Sequence, residues 1–173
     1  MNIHKYSIAI IPDDSTVKHV RALKLRLSDC IGWYHSKNSM AHFTIGEFEG
    51  NSNSLQHIHE QIISVCNVLK SFQIHLAEIK SFDKTGTLYI APNSTSKDHI
   101  INVMRLFHQK LSLQGDVVNP HLTIGRRLHP EHIEKGKKVL KFHPTSFDCN
   151  AIYLRKYNPL IKQYDVVHTY YLK

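Results

Sequence analysis

Five residues occur twice in this chain. His42-Phe43-Thr44-Ile45-Gly46 returns 79 positions later as His121-Leu122-Thr123-Ile124-Gly125. Both copies read His-x-Thr-Ile-Gly. In a strand, alternate side chains share a face, so each His and its Thr point one way. Phe43 and Ile45, or Leu122 and Ile124, point the other way, toward a core. Strict alternation also puts Gly46 and Gly125 on the His face, where the missing side chain leaves room for something to approach the backbone. So short a repeat arises by chance in about one chain in five of this length. Its surroundings decide its weight.

The surroundings repeat too. Ile8-Ala9-Ile10-Ile11-Pro12 parallels Thr87-Leu88-Tyr89-Ile90-Ala91-Pro92, and each run leads into a capped amphipathic stretch. From Pro12 to His42 is 30 positions, and from Pro92 to His121 is 29. Each unit reads strand, Pro, helix, Gly stop, His-x-Thr strand, helix, strand. We read one bilobal domain over 1–173, with an internal repeat of roughly 3–80 and 86–172. The fold class is α+β: two pseudo-symmetric lobes with antiparallel sheets facing a central groove and helices outside.

In detail, a strand is expected over 3–11 and a helix over 15–29, with N-cap oxygens from Asp13, Asp14 or Ser15. Gly32 ends that helix, Ile31 to His35 reads as a short strand, and 36–39 is a polar turn. The first repeated strand covers 41–48. A second helix carries Leu55, Ile58, Ile62, Val65 and Leu69. A strand at 72–80, a turn at 83–86 and a strand at 87–91 follow. The third helix starts at Ser94-Thr95-Ser96 and ends at Gly115. After the second repeated strand at 120–127, Pro130 and Glu131 open a helix bearing Ile133, Val139 and Leu140, which Gly136 weakens. The tail holds two strands, 147–156 and 163–172, joined through Asn158-Pro159.

The 173 residues are enough for a real core. The net charge of +8 suits a polyanionic partner. Cys30, Cys66 and Cys149 lack CxxC spacing, as expected of reduced thiols in the cytoplasm. The apolar run Ile8 to Ile11 is too short for a signal peptide core or membrane span, so no membrane partner is expected.

Two histidines facing one site can act as general base and general acid. The two threonine hydroxyls, fixed on stiff strands, can hold two phosphate oxygens. Together they suit in-line attack on a phosphodiester, with one His taking a proton and the other giving one. The scheme needs no metal and no cofactor.

At these residues the chain resembles a known family, the 2H phosphoesterases, and within it the bacterial 2′-5′ RNA ligase, or RNA 2′,3′-cyclic phosphodiesterase, group. The likeness rests on HFTIGEFEG from His42 to Gly50, on HLTIGR from His121 to Arg126, and on Trp33 ahead of the first phrase. It implies metal-independent opening of a 2′,3′-cyclic phosphate on RNA ends or small cyclic nucleotides, leaving a 2′-phosphate, with 2′-5′ RNA ligation as the related activity. It implies that His42 and His121 are catalytic, and that Thr44, Thr123 and Arg126 bind substrate. Strict alternation puts Arg127, not Arg126, on the His121 face, so Arg126 requires a bulge or strand end to turn inward. Glu47 departs from the usual apolar tail and is expected to point away from the His face. The partners expected are RNA ends or nucleotide phosphodiesters, met by a monomer.

The alternative is a nucleotide- or RNA-binding module of the same fold without catalysis. A histidine metalloprotein is a third reading, but His57 and His59 at i and i+2 of a helix do not share a face. His129 and His132 fit a helix start. Trp33, Tyr34, Tyr89, Tyr153 and Tyr157 are the aromatics available to stack a base. The basic run Lys135 to Lys141 reads as a solvated helix face.

Overall fold

The computed structural model describes residues 3–173, apart from the side chain of Ser52. Eight strands and four α-helices follow in the order β1 (His4–Ile10), α1 (Asp14–Ile31), β2 (Phe43–Gly50), α2 (Ser52–Cys66), β3 (Phe72–Phe82), β4 (Thr87–Pro92), α3 (Ser94–Leu111), β5 (Leu122–Gly125), α4 (Pro130–Val139), β6 (Thr145–Cys149), β7 (Ala151–Asn158) and β8 (Gln163–Tyr171). They build two four-stranded antiparallel sheets, ordered β2-β1-β7-β8 and β5-β4-β3-β6. This is the expected two-lobed α+β fold. Each repeated strand sits at an edge of its own sheet, beside the Pro-stopped strand that precedes it in sequence.

The third strands cross over. β3 leaves the first lobe to pair with β4, and β7 pairs with β1. The two sheets therefore share chain from both ends, and neither lobe is one continuous segment. The expected strand over 147–156 is in fact two. Asn150 breaks it, sending β6 to one sheet and β7 to the other.

Local chemistry accounts for the helix ends. The Asp13 carboxylate accepts from Thr16 N at 2.9 Å and opens α1. Gly32, at φ 81°, closes it with its N–H on Ser28 O. No strand forms over 31–35: Ile31 completes α1 and residues 35–38 turn. Asn93, just before the expected cap residues, opens α3 through Ser96 N. The third helix closes at Ser112 in a left-handed conformation, not at Gly115. Gly136, which weakens α4 in propensity, is needed for packing: a Cβ there would lie 2.6 Å from Leu88 Cδ2 and 3.2 Å from Leu27 Cδ1.

Phe43, Ile45, Leu122 and Ile124 are all 0–1% exposed. Each such burial stabilises by about 1.5–3 kcal/mol, which pins both repeated strands to the core. The lobes are tied directly as well. His108 Nε2–H of α3 donates to Ile45 O at 2.9 Å, Arg126 N to Ser36 Oγ at 2.9 Å, and Arg26 Nε to Val139 O at 3.0 Å. Among the described residues no helix is long and apolar enough to cross a membrane.

Candidate active site

The two repeated strands share a distortion. Ile8 pairs with Gly46 and Ala9 with Thr44, so Ile45 is an extra residue in β2. In the other sheet Leu88 pairs with Gly125 and Tyr89 with Thr123, so Ile124 is extra in β5. A bulge of this kind resets the alternation of faces. Ile and Gly both turn to the core, and the next residue returns to the face of the Thr.

Three sequence expectations change with it. Gly46 and Gly125 do not line the cavity that both histidines enter. A Cβ on Gly46 would lie 2.5 Å from Leu113 Cδ1, and one on Gly125 2.8 Å from Leu128 Cδ1. The close approach these glycines allow is made by the protein's own leucines. Glu47 lines the groove instead of pointing away. Arg126, its counterpart five residues after His121, turns inward through the same bulge.

A cavity of about 270 Å³ lies between the sheets. His42, Thr44, His121, Thr123 and Arg126 all line it. Each imidazole is set the same way: His42 Nδ1–H donates to Met40 O and His121 Nδ1–H to Asn119 O, both at 2.7 Å. A carbonyl only accepts, so each Nδ1 carries the hydrogen and each Nε2 is left for the cavity.

Their surroundings differ. His121 stands edge-on to Phe82 at 5.2 Å and to Tyr89 at 5.3 Å. His42 is half-buried near cations. Burial, then the nearby Arg155 charge, then Lys24 and Arg126, push its pKa down to about 3 against the raising effect of its bond to Met40 O. His42 is therefore neutral near pH 7.

Sequence reading gave no role to Arg155, on β7, which enters the same cavity. It is 2% exposed, its Nη2 donates to Ser7 Oγ at 2.7 Å, and its guanidinium lies 5.2 Å from the Tyr164 ring centre. Its buried Nε has no hydrogen-bond partner among the described residues. Ser7 pairs with both Glu47 and Arg155 in register, so the three form a row across the sheet. Around the cavity Arg126, Arg155 and Lys162 face a single carboxylate, Glu47. An anion is the ligand such a balance favours.

Lys24 was also missed. It is 1% exposed, and its ammonium donates to Ser36 O, Ser39 O and Ser39 Oγ at 3.1, 2.7 and 2.8 Å. It clips the turn that supplies Met40 O to His42 and Ser36 Oγ to Arg126 N. Burial first, then Arg126 and Arg21, lowers its pKa to about 7. A sequence signal existed, because Lys24 falls on the stripe of Val20, Leu23 and Leu27.

Other candidates lie elsewhere. Tyr34 is buried and donates to Lys24 O at 3.0 Å, a structural role. Tyr89 stacks on Phe82 at 4.2 Å, and Tyr153 is half-buried on β7. Tyr157 lines the cavity, and Trp33 and Arg127 line a neighbouring one. His59 contacts Tyr170 and His168, whereas His57 lies beside Glu60. His129 precedes α4 and His132 lies 3.7 Å from Glu131. Among the described residues no three His, Cys, Asp or Glu side chains are grouped to hold a metal ion. The cysteines are unpaired, with Cys30 exposed and Cys66 and Cys149 buried.

A two-lobed α+β fold with a repeated His-x-Thr strand from each sheet on one groove is the architecture of a 2H phosphoesterase. The family model of the 2′-5′ RNA ligase superfamily matches residues 12–159, and the chain belongs to that superfamily. Among curated proteins none matches at the sequence level. Solved structures do. Escherichia coli LigT complexed with 3′-AMP superposes with a TM-score of 0.73 at 10% identity, over 99% of both chains. TT0787 of Thermus thermophilus gives 0.69 at 12% identity, over 97% of each chain. Kluyveromyces marxianus Usb1 gives 0.55 at 12% identity, over 99% of this chain and 98% of that one. At such identities the likeness establishes the fold, and the family match establishes the phosphoesterase class.

Proposed function

We propose that this phosphoesterase opens nucleoside 2′,3′-cyclic phosphates, on RNA ends or small cyclic nucleotides, by metal-independent two-histidine catalysis. One observation carries the reading. Both repeated phrases bring an imidazole and a hydroxyl to a single cavity, and each imidazole is held by the same Nδ1 bond with Nε2 left over.

His42, held neutral, takes the proton of the attacking water through Nε2. The water oxygen bonds to phosphorus as the bond to O3′ breaks, and His121 gives O3′ its proton. The product carries a 2′-phosphate and a free 3′-hydroxyl. Thr44 and Thr123 hold the two non-bridging oxygens, and Arg126 balances the charge that builds on them. With an RNA 5′-hydroxyl in place of water, the same displacement yields a 2′-5′ linkage. One chain supplies all five of these residues to a single cavity, which supports action as a monomer. The unpatterned cysteines fit a cytoplasmic setting. That E. coli LigT has been crystallised with 3′-AMP and with phosphate is consistent with a phosphate-binding groove in this fold.

The test is turnover of 2′,3′-cyclic AMP in the presence of a chelator, with the 2′- and 3′-monophosphate products resolved. The 2′-monophosphate is the product expected. Saturable binding without product would instead identify a nucleotide-binding module.

A further inference from the structure

A second cavity of about 620 Å³ opens beside the histidine cavity. The two share His35, Arg126, Tyr157, Lys162 and Gln163, so they form one continuous groove. The first, at about 270 Å³, lies at the small end of ligand pockets, whereas the second is well inside the usual range of about 300–1,000 Å³. A terminal cyclic phosphate leaves the larger chamber unused.

The larger chamber has a distinct chemistry. Trp33 forms one wall, is 67% exposed, and meets His35 edge-on at 5.0 Å. Its indole is an uncovered stacking face. Arg126, Arg127 and Lys162 bring three positive charges, and none of the chamber's lining residues is acidic. Among the described residues these three side chains make no ion pair or hydrogen bond.

The backbone points the same way. Three described non-glycine residues adopt a left-handed conformation, and two of them, Arg127 at φ 55° and Lys162 at φ 53°, line this chamber. Such conformations are strained for residues with a Cβ and cluster at functional sites. At Arg127 the turn is imposed by Leu128 N donating to Gly86 O at 2.9 Å. At Lys162 it falls in the β7–β8 hairpin, where Asn158 accepts from Leu160 N and donates to Asp165. Two fixed turns thus aim two cations into one space beside an aromatic face.

We infer that this chamber is a subsite for the nucleotide on the 5′ side of the reacting terminus, with its base stacked on Trp33 and its phosphodiester held by Arg127 and Lys162. The preferred substrate is then a single-stranded oligoribonucleotide, not a mononucleotide. An aromatic face beside unpaired cations is the usual means of holding single-stranded nucleic acid. The inference rests on the proposed function for which end of the RNA enters the histidine cavity.

Trp33 is the only tryptophan in the chain, so its fluorescence reports stacking directly. The probes are an adenosine trinucleotide ending in a 2′-phosphate and adenosine 2′-monophosphate. The trinucleotide should quench Trp33 and bind about ten- to a hundredfold more tightly. The monophosphate should bind without quenching. Arg127→Ala should weaken trinucleotide binding and lower its log–log salt slope by about 0.7. In kinetics, Trp33→Ala and Arg127→Ala should raise KM for the cyclic-phosphate trinucleotide and leave kcat/KM for 2′,3′-cyclic AMP within about twofold of the wild type. Both side chains are exposed, so folding is not at stake.

Equal affinity for the two probes, or an equal loss on both substrates, would overturn the subsite. The two readings also fail separately. Quenching with no turnover of either substrate would sink the proposed hydrolysis and keep the subsite. Turnover of 2′,3′-cyclic AMP with no quenching by the trinucleotide would do the reverse.

Discussion

Acidification should weaken this protein through His42, and the size of the effect follows from its surroundings. The ring ordinarily titrates at 6.5 and is held to about 3 in the folded chain by burial and by the Arg155 charge. As pH falls below 6.5 the unfolded chain takes up a proton that the folded chain refuses. The unfolded state then binds more protons, so the stability that is whole above pH 6.5 is lost toward pH 3. At pH 5 the group is about 1.5 units into that window, and at ~1.36 kcal/mol per unit the loss is about 2 kcal/mol. The ring's partial exposure to solvent makes this an upper value. His42→Asn removes the titration while keeping a side-chain N–H for Met40 O. Urea unfolding of both proteins at about pH 7.5 and about pH 5, in buffers free of phosphate, isolates His42 from the other thirteen histidines. The wild type should lose about 1–2 kcal/mol more than the variant on acidification. Parallel losses would refute the neutral, cation-flanked His42.

Thr44→Val and Thr123→Val should each lower kcat/KM on 2′,3′-cyclic AMP by about tenfold or more with little change in unfolding midpoint, since each removes one oxygen ligand; an unchanged rate would take that hydroxyl out of the site. Gly86→Ala should destabilise by at least about 2 kcal/mol in urea unfolding, because φ is 66° and the new Cβ would lie 2.4 Å from Leu128 O; a neutral result would contradict the packing of the Arg126–Leu128 turn. Lys24→Met should cost about 1–3 kcal/mol by leaving Ser39 O without its donor, while Ser36 O keeps the bonds from Ser39 N and Oγ. It should also slow turnover, because Arg126 N and His42 Nδ1 both lean on that turn; wild-type kinetics would show that the turn holds without its clip.

Much of the site was legible because its chemistry is written in local spacing. The His and Thr of each phrase, the Pro-stopped strand and the helix between them are short-range features. The bulge was not legible. Ile45 and Ile124 look like ordinary alternating residues, yet as extra residues they move Glu47 and Arg126 to the groove and both glycines to the core. Strict alternation thus put Glu47 on the wrong face, and it placed Arg127 where Arg126 lies. Arg155 was hidden for another reason. Its partners, Ser7 and Glu47, lie on β1 and β2, more than 100 residues away, and only the exchange of third strands between sheets brings β7 beside β1. In sequence nothing separates it from the other basic residues of the chain. The split of 147–156 at Asn150 was equally silent, since both halves read as strand and only the crossover separates them.

The most direct test of the central claim compares the wild type with His42→Ala, His121→Ala and the double variant on 2′,3′-cyclic AMP, with EDTA present and product identity followed by phosphorus NMR. Both histidines serve one displacement in this account. The wild type should therefore release the 2′-monophosphate, each single variant should lose about 10²–10⁴ in rate, and the double variant should fall little further. Turnover by the double variant at the wild-type rate would contradict it.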